Sequence, residues 1–377
     1  MKCSPGNTFI KLQSNINVLL KILNSGITSM TVTASSPGKN WSSGWRMIKS
    51  ASVAFFPYLT TLMILFSCQS GTHDLLPDSS GRTGEVVVVM PEESWEGNEG
   101  ELLRQLLSLP YEMLPQYEPV FNFFNVPPPA FRDFLLMHRN IIMAQINPEE
   151  PDTAFDIQYN VRARNQLVIT LKAHDYPSFE KLINDEGEKI IAVIEDMERQ
   201  RLTDGFRANA GNDVMELVRR KHGILMTIPV DYSVVTDTAG FTWIMKETGQ
   251  VLQGILLYSG HSKDSTIISG AEIIATRDSV LQRFVPGEVE GSYMSTEKEF
   301  PPLERRYYLG GKMNVVELRG LWKTESGISM GGPFITISFR IAETMYDTVE
   351  GFVYAAGFDK REYMREVEAI VLSAKPD

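Results

Sequence analysis

Cysteine is almost missing from this chain. Its 377 residues hold two, Cys3 and Cys68. Beyond Cys68 there is none, so that part can form no disulfide, thiol nucleophile or thiolate metal site. Histidine is scarce too: His73, His138, His174, His222 and His261 are scattered, with no H-E-x-x-H pair to hold zinc. No EF-hand loop, P-loop or G-x-G-x-x-G occurs, and no cofactor or metal is expected. Acidic residues are absent from Met1 to Cys68, where six lysines and arginines stand alone. The whole chain has 36 basic and 47 acidic residues, so Gln69 to Asp377 carries 30 against 47, a net charge of −17. Such a body repels phosphate backbones, which argues against nucleic-acid binding. It also carries no overall basic character for adhesion to anionic lipid.

Long apolar runs are rare as well. The one that stands out, Ala51 to Ser67, is shorter than the roughly 20 residues of a comfortable membrane span. Lys49 precedes it, and Leu65-Phe66-Ser67-Cys68 ends it. A basic start, an apolar middle and a small residue at the end make a signal segment. The ending resembles the lipobox of bacterial lipoproteins, with an aliphatic residue three positions before the cysteine and a small one directly before it. That resemblance implies cleavage between Ser67 and Cys68, with acylation of Cys68. Two or more acyl chains anchor stably, each buried CH₂ contributing about 0.8 kcal/mol. Residues 1–46 fit poorly before a signal peptide, and initiation is placed at Met47, giving a signal peptide over 47–67. Residues 68–83, polar and rich in Gly, Ser and Pro, are expected to be a flexible tether. Gln69 is not the Asp that commonly retains lipoproteins in the inner membrane, which favours the outer membrane, facing the periplasm.

Residues 84–373 are expected to form a globular α+β body, with a sub-boundary near Gly223. Glu85–Met90 reads as a buried strand, and Gly100–Leu109 as a helix with Leu102, Leu103, Leu106 and Leu107 on one face. Pro119–Val126 is extended, residues 130–137 are helical, and Asn140–Ile146 and Gln166–Ala173 are strands. A helix follows over Ser178–Arg199, with Leu182, Ile183, Ile190, Ile194 and Met197 on its stripe. Another follows over Asn212–Lys221, capped by Asn212 and stopped by Gly223. The rest is strand-rich (224–228, 241–246, 250–259, 305–309, 312–323, 333–341, 349–355), with helices over 267–284 and 359–373. Gly310-Gly311 marks a tight hairpin. Short links between strands imply mainly antiparallel sheets, with helices packed on one face and two halves of similar size.

Gly327-Ile-Ser329-Met-Gly331 matches G-x-S-x-G, but a strand, not a helix, is expected after it. No histidine follows, so it does not make a nucleophile elbow. The stretch Glu317-Leu-Arg319-Gly-Leu-Trp322 places Val316, Leu318 and Trp322 toward the core and Glu317 and Arg319 on the other side. Gly320 suggests a close approach. Glu317, Arg319, Thr336, Ser338 and Arg340 could share a sheet face able to bind a polar ligand, or form a solvated face of ion pairs. His138-Arg139 and Arg277-Asp278 are a further pair of candidates, read as a site or as caps and ion pairs.

At these residues the chain resembles a family of uncharacterised Gram-negative lipoproteins, domain of unknown function 4837. Glu85–Met90, Trp95, Glu118-Pro119, His138–Ile141, Arg277–Ser279, Gly291–Met294, Arg319–Trp322, Met330–Phe334 and Lys360-Arg361 carry the resemblance, over about residues 80–373. It implies lipoprotein status and an envelope location, with no chemistry attached. The expected role is a non-enzymatic binding or scaffold protein with an envelope protein or ligand as partner. The alternative is an envelope-acting hydrolase or transferase, which would need His138, Arg277, Glu317 and Arg319 to converge in one pocket.

Overall fold

A computed structural model describes residues 76–309 and 313–377. Cys68, the expected signal segment and the expected Gly310-Gly311 turn lie outside the described residues. The first half builds a five-stranded sheet from β1 (Glu85–Val89), β2 (Asn122–Val126), β3 (Asn140–Ile146), β4 (Ala154–Tyr159) and β5 (Leu167–Ala173). Their order is β2-β1-β3-β5-β4. The β1/β2, β1/β3 and β3/β5 pairs are parallel, and β4 adds an antiparallel edge. Parallel pairing fits the near-continuous valines of β1, buried on both faces. Between β1 and β2 lie α1 (Glu92–Glu96) and α2 (Asn98–Leu107), and after β5 comes α3 (Tyr176–Ala208). α3 starts on Asp175, whose carboxylate accepts from the Ser178 backbone N–H, and runs nine residues past Arg199. Leu182, Ile183, Ile190, Ile194 and Met197 are all buried along it. Where a helix is expected over 130–137, two short 3₁₀ turns form instead, Pro128–Ala130 and Asp133–Met137. Three consecutive prolines and a positive φ at Asp133 prevent a continuous helix.

The second half begins with α4 (Asn212–His222), which ends on Gly223 at φ +63°. Gly211, not Asn212, holds its N-cap position. Next come β6 (Ile224–Leu225), β7 (Ser233–Thr238), β8 (Phe241–Thr248) and β9 (Val251–His261), then α5 (Gly270–Phe284), opened by a Ser269/Glu272 capping box. The strands β10 (Tyr293–Thr296), β11 (Leu303–Leu309), β12 (Met313–Glu325), β13 (Gly331–Arg340) and β14 (Met345–Ala355) follow. The chain closes with α6 (Arg361–Val371) and β15 (Lys375–Pro376), which pairs with β6. Strands β7 to β14 form one antiparallel eight-stranded sheet in the order β10-β12-β13-β14-β9-β8-β7, with β11 also on β12. The α+β class is therefore as the sequence predicts. Helices cover both faces of this sheet rather than one, α5 on one side and α6 on the other.

The described residues from 76 to 377 belong to one compact unit. Its main core joins Val86, Leu103 and Ile142 of the first half to Ile255, Val349 and Val367 of the second. α6 is the element between them. Gly351 of β14 lets it approach the sheet, since a methyl there would sit 2.2 Å from Val367. From the other side, the Glu118 carboxylate accepts from the backbone N–H groups of Lys360 and Arg361, at 2.7 and 2.8 Å. Those are orphan donors of the helix start. The cap comes from 242 residues away.

Residues 77–80 are not a free tether. They run between Arg164 and Met137–Arg139, held by four backbone hydrogen bonds of 2.7–3.2 Å.

Candidate functional site

The register of β12 on β13 decides which side chains meet. Residues opposite each other in an antiparallel pair share a face. Glu317 lies opposite Ile337 and Arg319 opposite Ile335, whereas Thr336 lies opposite Leu318 and Ser338 opposite Val316. The expected polar face of Glu317, Arg319, Thr336, Ser338 and Arg340 is thus corrected: it is split. Glu317 and Arg319 face α6 and α3, while Thr336 and Ser338 lie buried on the α5 side. The split arises because both faces of these strands are buried, so hydrophobicity does not label one of them as outside. Arg340, at the end of β13, donates instead to the Asp264 carbonyl at 3.0 Å.

On the α6 side a cavity of about 480 Å³ is lined by β11, β12 and β13, by α3 and by the Tyr111-Glu112 turn. Arg319 stands in its wall. Its Nε donates to Glu317 at 2.7 Å and its Nη1 to Glu368 of α6 at 2.6 Å. Tyr111 also donates to Glu368, at 2.7 Å. Burial alone would lower the Arg319 pKa, but Glu368 and Glu317 outweigh it and hold the guanidinium charged. Arg305 pairs with Glu112 at the rim and reaches Glu317 at 3.4 Å. From α3 the lining receives Ala192, Glu195, Asp196 and Arg199. Burial pushes the Glu195 carboxyl up, with Arg365 acting against the rise and Glu368 adding to it. Burial, reinforced by Glu317, pushes the Tyr307 phenol up to about 12. The lining is mixed in sign and tightly paired.

A second polar cluster lies beneath α3. Glu198, fully buried, takes hydrogen bonds from Asn140 at 2.6 Å and Arg201 at 2.8 Å, and pairs with Arg139 at 2.8 Å. His138 is buried beside it, its ring nitrogens 3.2 Å from the Asn140 carbonyl and from Glu85. A small cavity of about 30 Å³, lined by Glu195, Glu198, Arg319, Arg365 and Glu368 among others, lies between this cluster and the Arg319 pair.

Arg277 belongs to neither. It is fully buried on the opposite face of the eight-stranded sheet, bound to Glu350 at 2.7 and 3.1 Å, to Thr296 at 2.8 Å, and stacked 3.8 Å over Phe334. Asp278 accepts from the Thr296 backbone and hydroxyl at 2.9 and 2.7 Å. Trp322 lies on that face too, its indole N–H donating to the Val353 carbonyl at 3.2 Å. A methyl at Gly320 would meet the Phe334 ring at 2.7 Å, the close approach that a mid-strand glycine implies. Of the four candidates required for catalysis, Glu317 and Arg319 meet. His138 sits just ahead of β3, beside the five-stranded sheet, and Arg277 on the opposite face of the eight-stranded sheet. Ser329 lies in an irregular stretch two residues before β13, with a strand and not a helix after it, so no elbow forms. No metal-holding group of three or more His, Cys, Asp or Glu occurs among the described residues.

Sequence reasoning misses Tyr111, Glu195, Glu198 and Glu368. For Glu198 a signal exists: it lies four residues after Ile194 and eight after Ile190, a carboxylate on the buried stripe of α3. Glu368 has the same mark, one residue after Val367 on a helix buried nearly all round.

Residues 212–373 carry a domain of unknown function, DUF4837, and belong to that family. Residues 79–207 match a separate model, a second domain of unknown function, DUF8532. No curated protein matches the chain. Among solved structures, LpqN of Mycobacterium tuberculosis, involved in cell envelope biogenesis, is similar at 13% identity and TM-score 0.25, over 40% of this chain and 82% of that one. The lipid transfer and protein localization domain of human StarD13 is similar at 9% identity and TM-score 0.16, over 39% and 90%. Both likenesses are too loose to carry a fold or an activity across. No helix among the described residues is long and apolar enough to cross a membrane.

Proposed function

We propose that the protein is an envelope lipoprotein, held to the outer membrane on its periplasmic side by acylated Cys68, and that its body binds a partner protein or ligand without transforming it. The observation that carries the anchor is the sequence order of Lys49, an apolar run, Leu65, Ser67 and Cys68. Placement of the charged residues supports binding over catalysis. His138, Arg277 and Arg319 occupy three separate environments, so these three do not converge on one point as the catalytic reading requires. The Arg319 cavity supports a polar ligand group of mixed charge. Arg319 is already neutralised by Glu317 and Glu368, while Arg199, Arg305, Glu195 and Asp196 offer both signs at its lining.

The anchor is tested by metabolic labelling with palmitate. Wild-type protein is expected to incorporate label and shorten, and Cys68→Ala to do neither. Normal incorporation in Cys68→Ala would remove the basis of the proposal. Binding is tested by a photoreactive side chain at Ala192, on the exposed lining, in intact cells. One recurrent species is expected there, lost when Arg305→Glu reverses the lining charge. Equal capture at Glu247, exposed on β8 toward the opposite edge of the same sheet, would count against the cavity.

A further inference from the structure

Residues 77–80 fix where the body is tied to the anchor. The Arg164 N–H donates to the Pro77 carbonyl, Ser79 to Arg164, Ser80 to Met137, and Arg139 to Ser80. Asp78 is ten residues from Cys68, so even a fully extended chain holds the two within about 36 Å. A body of this size is roughly 50 Å across. An anchor at Cys68 therefore cannot reach round to the far side, and the end bearing Met137 and Arg164 is the end nearest the lipid.

The side chains at that end suit an interface. Phe134, on the 3₁₀ turn leading to Met137, is 68% exposed, and Tyr159 and Val161, before Arg164, are 54% and 41% exposed. Each alone would be ordinary. Here they flank the tether from two loops that Gln166 ties together, donating to the Leu136 and His138 carbonyls at 2.7 and 2.9 Å. The charge is local as well. Exposed in segments 76–84, 119–148 and 157–168 are four arginines and two aspartates, a net +2 on a chain whose part after Cys68 carries −17; Arg139 is held by the buried Glu198. Charges act over a Debye length of about 8 Å in physiological salt, so a bilayer close to this end feels its local sign rather than the body's.

We propose that these two loops form a membrane-docking surface, with Phe134 and Val161 entering the headgroup–acyl boundary of the bilayer that holds the Cys68 lipid and Tyr159 lying at its edge. Aromatic side chains are suited to that boundary, and burial of a few apolar groups adds to the acyl chains. This rests on the reading of Cys68 as the anchor.

The test uses lipidated protein in vesicles of phosphatidylethanolamine and phosphatidylglycerol. Cys68 is consumed by acylation, so an environment-sensitive thiol label reports one position at a time, with wild-type protein as the blank. Labels are placed by Phe134→Cys, Val161→Cys and, as control, Glu247→Cys; all three positions are exposed, so folding is preserved. The emission at 134 and 161 is expected to shift to the blue and to be quenched severalfold more by a lipid-borne quencher than at 247. Equal quenching at all three, in protein that floats with the vesicles, overturns the docking and leaves the anchor standing. Failure of wild-type protein to float overturns the anchor, and the docking with it.

Discussion

Arg277 and Glu350 show what a charged pair needs in a core. Both are fully buried, and burial pushes the Glu350 carboxyl up while Arg277 pulls it back. Replacing Arg277 with Met leaves that carboxyl without its guanidinium, a loss expected to cost about 3–5 kcal/mol in urea unfolding. Adding Glu350→Gln, which keeps an acceptor for the Tyr258 hydroxyl, is expected to restore part of the loss. A double variant no more stable than Arg277→Met would show that the pair does not set the cost. At this scale the sequence is legible in types but not in partners. Arg277-Asp278 stands out along the chain, yet Glu350 is 73 residues further on and nothing local names it. Glu317 and Arg319, two apart on one strand, are the exception, because alternation alone puts them side by side.

The helices and strands follow a similar rule. α3, α5 and β12 to β14 are readable because long periodic runs are buried by neighbours on fixed faces. The strands that escape notice, β4, β7, β10 and β15, are all sheet edges; β4 and β7 are half-buried or exposed along much of their length, and β10 and β15 are four and two residues long. An edge is paired on one side and so needs little apolar pattern. α6 is readable as a helix, but not its cap, because Glu118 is supplied from the other end of the fold. Glu118→Ala is expected to cost about 1–2 kcal/mol, the usual worth of a cap reinforced by the helix dipole. A thermal unfolding midpoint unchanged by that substitution would contradict the role. The face assignment on β12 and β13 fails for a different reason: two buried faces look alike in sequence until the register is known.

Over the whole molecule, two families of unknown function, at residues 79–207 and 212–373, share one hydrophobic core. The boundary that sequence similarity draws is not a boundary of packing. Residues 212–377 expressed without the first half are expected to lack a cooperative transition, since Tyr111, Glu118, Val120 and Phe121 would be missing from around α6. The intact chain is expected to unfold in a single step by circular dichroism and by tryptophan fluorescence alike. Two separated transitions would restore the idea of independent halves. The position of α6 also imposes a schedule. This helix comes after every strand and helix of the first half in chain order, yet the first half packs on it. The segments that pack on α6 must therefore wait, incompletely buried, until residues 361–376 have been made, so that the two halves reach their finished state together rather than one after the other.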